Sequence, residues 1–163
     1  RHNTALTLGM KTHSEVWREI CDDLGQPVPI DLLQEAFRST PLNKEMFKLA
    51  SELRRNCRVG IITDNKKDRI DCLKRHLGLD ALFDPVVVSA EVGSDKGEPE
   101  IFVAALRSAG VKASEAVFID NNSDNLVAPG TLGMRTFFHD DEKNDVGILI
   151  EKLRGAGIAI GDA

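Results

Sequence analysis

Four polar clusters follow short apolar runs and carry residues able to do chemistry. Ile61-Ile62 leads into Thr63-Asp64-Asn65, and Val86-Val87-Val88 into Ser89 and then Ser94-Asp95-Lys96-Gly97. Phe118-Ile119 leads into Asp120-Asn121-Asn122-Ser123-Asp124-Asn125, and Phe137-Phe138 into His139-Asp140-Asp141. A hydroxyl and the free N–H groups of a helix start donate to phosphate oxygens. A lysine neutralises phosphate charge. Carboxylates and Asn oxygens suit Mg²⁺, a hard cation that prefers oxygen ligands. The candidate phosphate contacts are Thr63, Asp64, Asn65 and Lys96; the candidate metal ligands are Asp120, Asn121 and Asp124. Singly each has a plainer reading: Asn65 as a helix cap, Asp124 as solvated surface, Lys96 as a surface lysine. Their conjunction at successive chain turns carries the functional reading.

These clusters need a scaffold that brings them together. Val59–Thr63, Pro85–Ser89, Ala116–Asp120 and Arg135–Phe138 read as strands, short and apolar enough to be covered on both faces. Between them lie helical patterns: Asn65 as a cap with Ile70, Leu73 and Leu77 inward, then Pro99 opening a helix that Gly110 stops. A helical turn follows Ser123 and is cut by Pro129-Gly130, and a last helix covers Val146–Leu153. Strands alternating with helices predict an α/β fold, a doubly wound parallel sheet. Ligands bind beyond the carboxyl ends of such strands, where the polar clusters fall.

The first third is helical by pattern. Thr12 and Glu15 form a capping-box signature ahead of Val16, Ile20 and Leu24, with Gly25 as the stop. Asp31 and Gln34 repeat the box, and Pro41 suits the first turn of a third helix carrying Met46, Leu49, Ala50 and Leu53. The predicted division is an appended helical part over 1–54 and a Rossmann-like core over 55–163.

Composition sets the outer limits. The chain has 163 residues, 42% hydrophobic and 29% charged, enough for a packed core. No apolar run reaches the ~20 residues of a membrane span, and no signal-peptide pattern opens the sequence. A net charge of −5 argues against general nucleic-acid binding. Cys21, Cys57 and Cys72 form no CxxC pair, which predicts reduced thiols and a cytoplasmic setting. The four histidines show no zinc-ligand spacing.

The ordered clusters resemble the haloacid dehalogenase-like (HAD) superfamily, mostly Mg²⁺-dependent phosphatases, over residues 45–153. The resemblance rests on IITDN, KGEPEIF and VFIDNNSDNL, with the flanks Leu77-Gly78-Leu79, Phe83-Asp84 and Leu132-Gly133-Met134. It implies that Thr63 and Lys96 bind phosphate in catalysis, that the acidic pair Asp120-Asn121 with Asp124 holds Mg²⁺, and that the first helices are the tail of a helical cap. The family's D-x-D motif, whose first Asp is the nucleophile and second the acid/base, occurs nowhere in this sequence, and Asn121 stands where a carboxylate is usual.

In the family the motif's strand is central, so its absence leaves two open strand edges. Candidates to fill the slot are a segment ahead of Arg1, another copy of the chain in a homo-oligomer, Thr4–Leu8 as a strand, or Gly157–Asp162 as a displaced strand.

Three functions follow. The first is a hydrolase of phosphatase ancestry acting on a small phosphorylated molecule with Mg²⁺, truncated or inactive as this chain; a dehalogenase would need the same missing Asp. The second is a non-catalytic binding or interaction protein on the same fold, dimeric if self-association fills the slot. The third is an unrelated doubly wound domain such as a receiver; no GxGxxG or P-loop pattern supports a nucleotide module.

Overall fold

A computed structural model of the chain describes residues 2–160. Its N-terminal part is helical: α1 (Asn3–Thr7), α2 (His13–Leu24), α3 (Asp31–Arg38) and α4 (Lys44–Leu53). The capping box at Thr12 and Glu15 forms as expected, and Gly25 ends α2 in the left-handed region. The other predicted starts differ. Asp31 is already inside α3, whose N-cap Ile30 has no side-chain bond. Asn43, not Pro41, starts α4, because its Oδ1 accepts the Met46 N–H. Thr4–Leu8 is not a strand: it forms α1 and its exit turn, with Leu6 buried.

The remainder alternates as predicted: β1 (Ile61–Thr63), α5 (Lys67–Leu77), α6 (Leu79–Leu82), β2 (Val86–Val88), α7 (Ser89–Val92), α8 (Pro99–Ala109), β3 (Val117–Asp120), a 3₁₀ turn (Ser123–Leu126), α9 (Val127–Thr131), β4 (Arg135–Phe138) and α10 (Val146–Gly155). Lys66 rather than Asn65 precedes α5, and α9 runs through Pro129-Gly130 instead of being cut there. Pro is tolerated because a first-turn residue needs no N–H partner.

β1 pairs parallel with β2, Ile62 opposite Val87, and β3 pairs parallel with β4, Phe118 opposite Thr136. Gly60 lets the first pair close, since a Cβ there would lie 2.7 Å from the Pro85 carbonyl oxygen. Among the described residues these are two separate two-stranded sheets. The helices nevertheless bind them into one body. On one face, α8 buries Ile101, Phe102 and Ala105 against Val87 and Phe118, the two rings meeting edge-to-face at 5.0 Å. On the other, α4 shares Ala50 with the Ile70, Leu73 and Val88 cluster, and Leu49 and Leu53 with Leu149 and Leu153 of α10. α4 therefore spans both sheets. α2 and α3 lie outside α5, joined to it by His13 Nδ1–Asp68 Oδ2 at 2.7 Å, Arg69 to Thr40 Oγ1 and Cys72 Sγ to the Gln34 carbonyl.

Between the sheets is a cavity of about 620 Å³, lined by β1 and β3, by Met46, Leu49, Ala50 and Leu53 of α4, and by Ala105, Leu106 and Ala109 of α8. Ladder alternation fixes what the strands offer it. Ile61 N–H donates to Pro85 and Val59 accepts from Asp84, so Val59, Ile61 and Thr63 address β2 and Gly60 and Ile62 address the cavity. Ala116 and Asp120 accept from Arg135 and His139 of the β4 segment, so Val117 and Ile119 address the cavity. Residues 157–160 do not fill it as a strand: they run as irregular chain, with Ile160 packed on Leu149 and Leu153. Gly161 and Asp162 lie outside the described residues.

Candidate functional site

The chemistry gathers where β1 and β3 end. β1 delivers Thr63 and Asp64, the loop after α7 delivers Asp95 and Lys96, and β3 delivers Asp120. Lys96 joins them. Its backbone N–H donates to Asp64 Oδ1 at 2.9 Å, and its ammonium donates to Asp120 Oδ2 at 2.7 Å. One residue thus ties the C-terminal ends of the two half-sheets together. The Lys96 side chain is 14% exposed and that of Asp120 6%. This is a largely buried ion pair, whose desolvation only good geometry and further hydrogen bonds can offset. Asp120 has them: its Oδ1 accepts the Asn122 N–H at 2.8 Å and Asn125 Nδ2 at 3.0 Å.

Asp64 is placed differently. It is half-buried, and burial pushes its carboxyl above the usual 3.8, opposed by the Lys96 N–H and ammonium and reinforced by Asp95 and Asp120. Asp95 Oδ1 accepts the Gly97 N–H, which shapes the Lys96 loop. Thr63 is half-buried at the end of β1, next to Asp64.

The remaining candidates separate from this cluster. The Asn65 backbone N–H donates to Ser89 Oγ and its Oδ1 accepts the Lys66 N–H, so both groups are engaged within the protein. Asn121 and Asp124 are exposed; the backbone N–H of Asp124 donates to Asn122 Oδ1, closing the loop. Asn125 is the contact that sequence reasoning missed. Its signal is spacing: it stands five residues after Asp120 across a turn that folds the chain back. Among the described residues no group of three or more His, Cys, Asp or Glu side chains could hold a metal. Mg²⁺ usually takes one or two carboxylates besides waters and substrate phosphate. Here the single buried carboxylate already accepts three hydrogen bonds. The described donors therefore do not make a magnesium site by themselves.

Known proteins are similar to this chain in sequence and in fold. The sequence profile of the haloacid dehalogenase-like hydrolases matches residues 6–129. The chain belongs to that family. In three dimensions it is similar to a HAD-like family hydrolase from Porphyromonas gingivalis, with a TM-score of 0.79 and 24% identity over 92% of this chain and 77% of that one. It is also similar to a HAD family enzyme from Bacteroides thetaiotaomicron in its magnesium complex, with a TM-score of 0.75 and 22% identity over 89% and 77%. In sequence it is 44% identical over 48 residues to the glyceraldehyde 3-phosphate phosphatase of Methanopyrus kandleri, 29% of this chain and 21% of that protein. It is 28% identical over 92 residues to the pyrophosphatase PpaX of Bacillus velezensis, 56% and 43%. The chain thus spans less than half the length of these curated relatives. The Rossmann-like HAD architecture with a helical N-terminal part is that of its structural neighbours. No helix among the described residues is long and apolar enough to cross a membrane.

Proposed function

We propose that this HAD-like hydrolase chain carries the phosphate-binding part of a phosphatase for small phosphorylated metabolites. The observation that carries this reading is Lys96, held by Asp64 through its backbone and by Asp120 through its ammonium. An ammonium has three N–H donors, and Asp120 takes one in the structure. The other two serve phosphate oxygens, and the Thr63 hydroxyl donates from the β1 side. These residues bind and orient the phosphoryl group; none of them is a nucleophile suited to the family's reaction.

Charge balance supports a further cation. Asp64, Asp95 and Asp120 outnumber Lys96 at the strand ends, so a phosphate dianion meets net repulsion unless positive charge is added. Magnesium would supply it, although the described carboxylates do not make a site for it by themselves. Hydrolysis needs the same addition, since the D-x-D motif is absent from the sequence.

The test is inorganic phosphate binding by ³¹P NMR, with and without Mg²⁺, beside aryl phosphate hydrolysis. Phosphate binding that Lys96→Ala removes, with negligible turnover, is the expected result. Binding unchanged in Lys96→Ala would overturn the proposal. Turnover that requires Mg²⁺ and Asp120 would instead reveal a nucleophile outside the family pattern.

A further inference from the structure

We infer that the outer edge of β4 is a contact surface between two copies of this chain, which pair antiparallel about a two-fold axis at Phe137. Ladder alternation exposes that edge. The Arg135 and His139 N–H groups donate to the Ala116 and Asp120 carbonyls, so Arg135, Phe137 and His139 address β3. Thr136 and Phe138 therefore turn their N–H and C=O groups the other way. Among the described residues β3 is the only strand paired with β4. An open edge of this kind is a template for a further strand. When Thr136 of each copy faces Phe138 of the other, each facing pair exchanges both of its hydrogen bonds. Lys152 donates to the Phe138 carbonyl at 3.3 Å, and that oxygen keeps a second lone pair for the strand bond.

Charge selects a second copy as the partner. Arg135 opens β4 and is exposed, whereas the residues just after the strand include Asp140, Asp141 and Glu142 against Lys143. Asp140 holds Lys143 at 3.1 Å, and Asp141 and Glu142 are exposed. Antiparallel pairing lays Arg135 of each copy beside the acidic stretch of the other, so both ends of the contact are complementary. Parallel pairing of two copies would set like charge against like. The edge is also flanked by apolar side chains on both faces of the sheet. Phe137 packs with Leu149 and Leu153 of α10, so Phe138 lies on the opposite face, 45% exposed. On the α10 face Ile148 is 50% exposed, one turn before the Lys152 that reaches the β4 edge. Pairing packs Phe138 over Thr136 of the other copy and brings Ile148 toward the same seam. Four residues of strand with two apolar flanks make a small interface, so the dimer is weak and concentration-dependent.

Sedimentation equilibrium of the full chain should show a reversible monomer–dimer equilibrium. Hydrogen exchange at the Thr136 and Phe138 amides should slow as protein concentration rises. Thr136→Pro removes an outward N–H, leaves the bonds to β3 in place, and should weaken association about tenfold. Phe138→Asp should weaken it by a similar factor, because it removes an apolar flank and adds an acid on each side of the seam. Arg135→Glu should weaken association several-fold, most at low salt. Adding Asp141→Arg to Arg135→Glu should restore it, since the two-fold axis sets each new charge against its opposite. Should Thr136→Pro melt early by circular dichroism, Phe138→Asp makes the same test at a half-exposed side chain.

Three results would overturn the inference. One is a chain that stays monomeric at millimolar concentration. Another is a dimer whose strength is unchanged by Thr136→Pro and by Phe138→Asp. The third is a dimer that protects the Ile62 and Val117 amides while those of Thr136 and Phe138 exchange freely, which would place the contact at the cavity. None of these variants alters a candidate site residue, so phosphate binding through Lys96 is tested separately from this inference.

Discussion

Each half-sheet ends in one buried polar residue, and the two differ in kind. Ser89 follows β2 and is fully buried. Its Oγ donates to the Thr7 carbonyl at 2.7 Å and accepts the Asn65 N–H at 2.9 Å. Its partners are backbone groups, and it pins α1 and the β1 exit to the β2 end. Gly9 belongs to the same lock: its φ is +70°, and a Cβ there would fall 1.9 Å from the Ala90 carbonyl oxygen. Asp120 ends β3, is 9% exposed, and binds a cation that belongs to the other side of the cavity. A neutral hub bonded to backbone holds a fold together. A charged hub that reaches the other half-sheet through a lysine holds the candidate site together. The distinction lies in the partners, since both residues are buried.

The largest expected effect comes from breaking the charged hub. Asp120→Ala leaves the Lys96 ammonium without its carboxylate, which should cost about 3 kcal/mol, read as a fall in denaturant midpoint. Phosphate binding should weaken as the Lys96 loop loosens. The double variant Asp120→Leu with Lys96→Met sharpens the point: it should recover most of the stability and none of the phosphate binding. Recovery of binding would show that the pair is structural only.

Ser89→Ala should cost less, about 1–2 kcal/mol, by leaving the Thr7 carbonyl and the Asn65 N–H without their buried partner. Phosphate binding should change little per unit of stability lost. A loss of binding as large as in Asp120→Ala would erase the contrast between the hubs.

The smallest effect is a pH dependence. Asp64 has a folded pKa above its ordinary 3.8, raised first by burial. In the window above 3.8 the folded state holds more protons at this site than the unfolded state. Its contribution is therefore most favourable below 3.8 and falls as pH rises through the raised value. Asp64→Asn keeps an oxygen for the Lys96 N–H and removes that dependence. Denaturation across pH 3–7 should show the variant gaining on the wild type as pH rises. A constant difference would mean that Asp64 titrates normally.

Much of the scaffold was legible in the sequence because the signals were local. Thr12 with Glu15, Pro99 with Gly110 and the consecutive apolar residues of β1 to β4 each specify their element within one turn or strand. The failures were also local in origin. Thr4–Leu8 looks extended by sequence, yet α1 docks against α7 through the Ser89 bond to Thr7, a contact 82 residues away in sequence. Asn65 and Pro41 carry the right residue type for a helix start, but Ser89 claims the Asn65 N–H and Asn43 caps α4.

The site divides the same way. Residue type, order and strand-end position singled out Thr63, Lys96 and Asp120, because parallel strands bring their carboxyl ends to one edge. What the sequence could not decide is which oxygen each donor meets. The turn after β3 folds Asn125 onto Asp120 and leaves Asn121 and Asp124 in solvent; the loop after α7 turns the Lys96 N–H onto Asp64. Hydrophobic period and motif spacing are properties of neighbouring residues, so the sequence by itself determined the elements and their family. The cavity between β1 and β3, and the single lysine spanning its end, arise from groups brought together across 24 to 32 residues, and only the tertiary structure decided them.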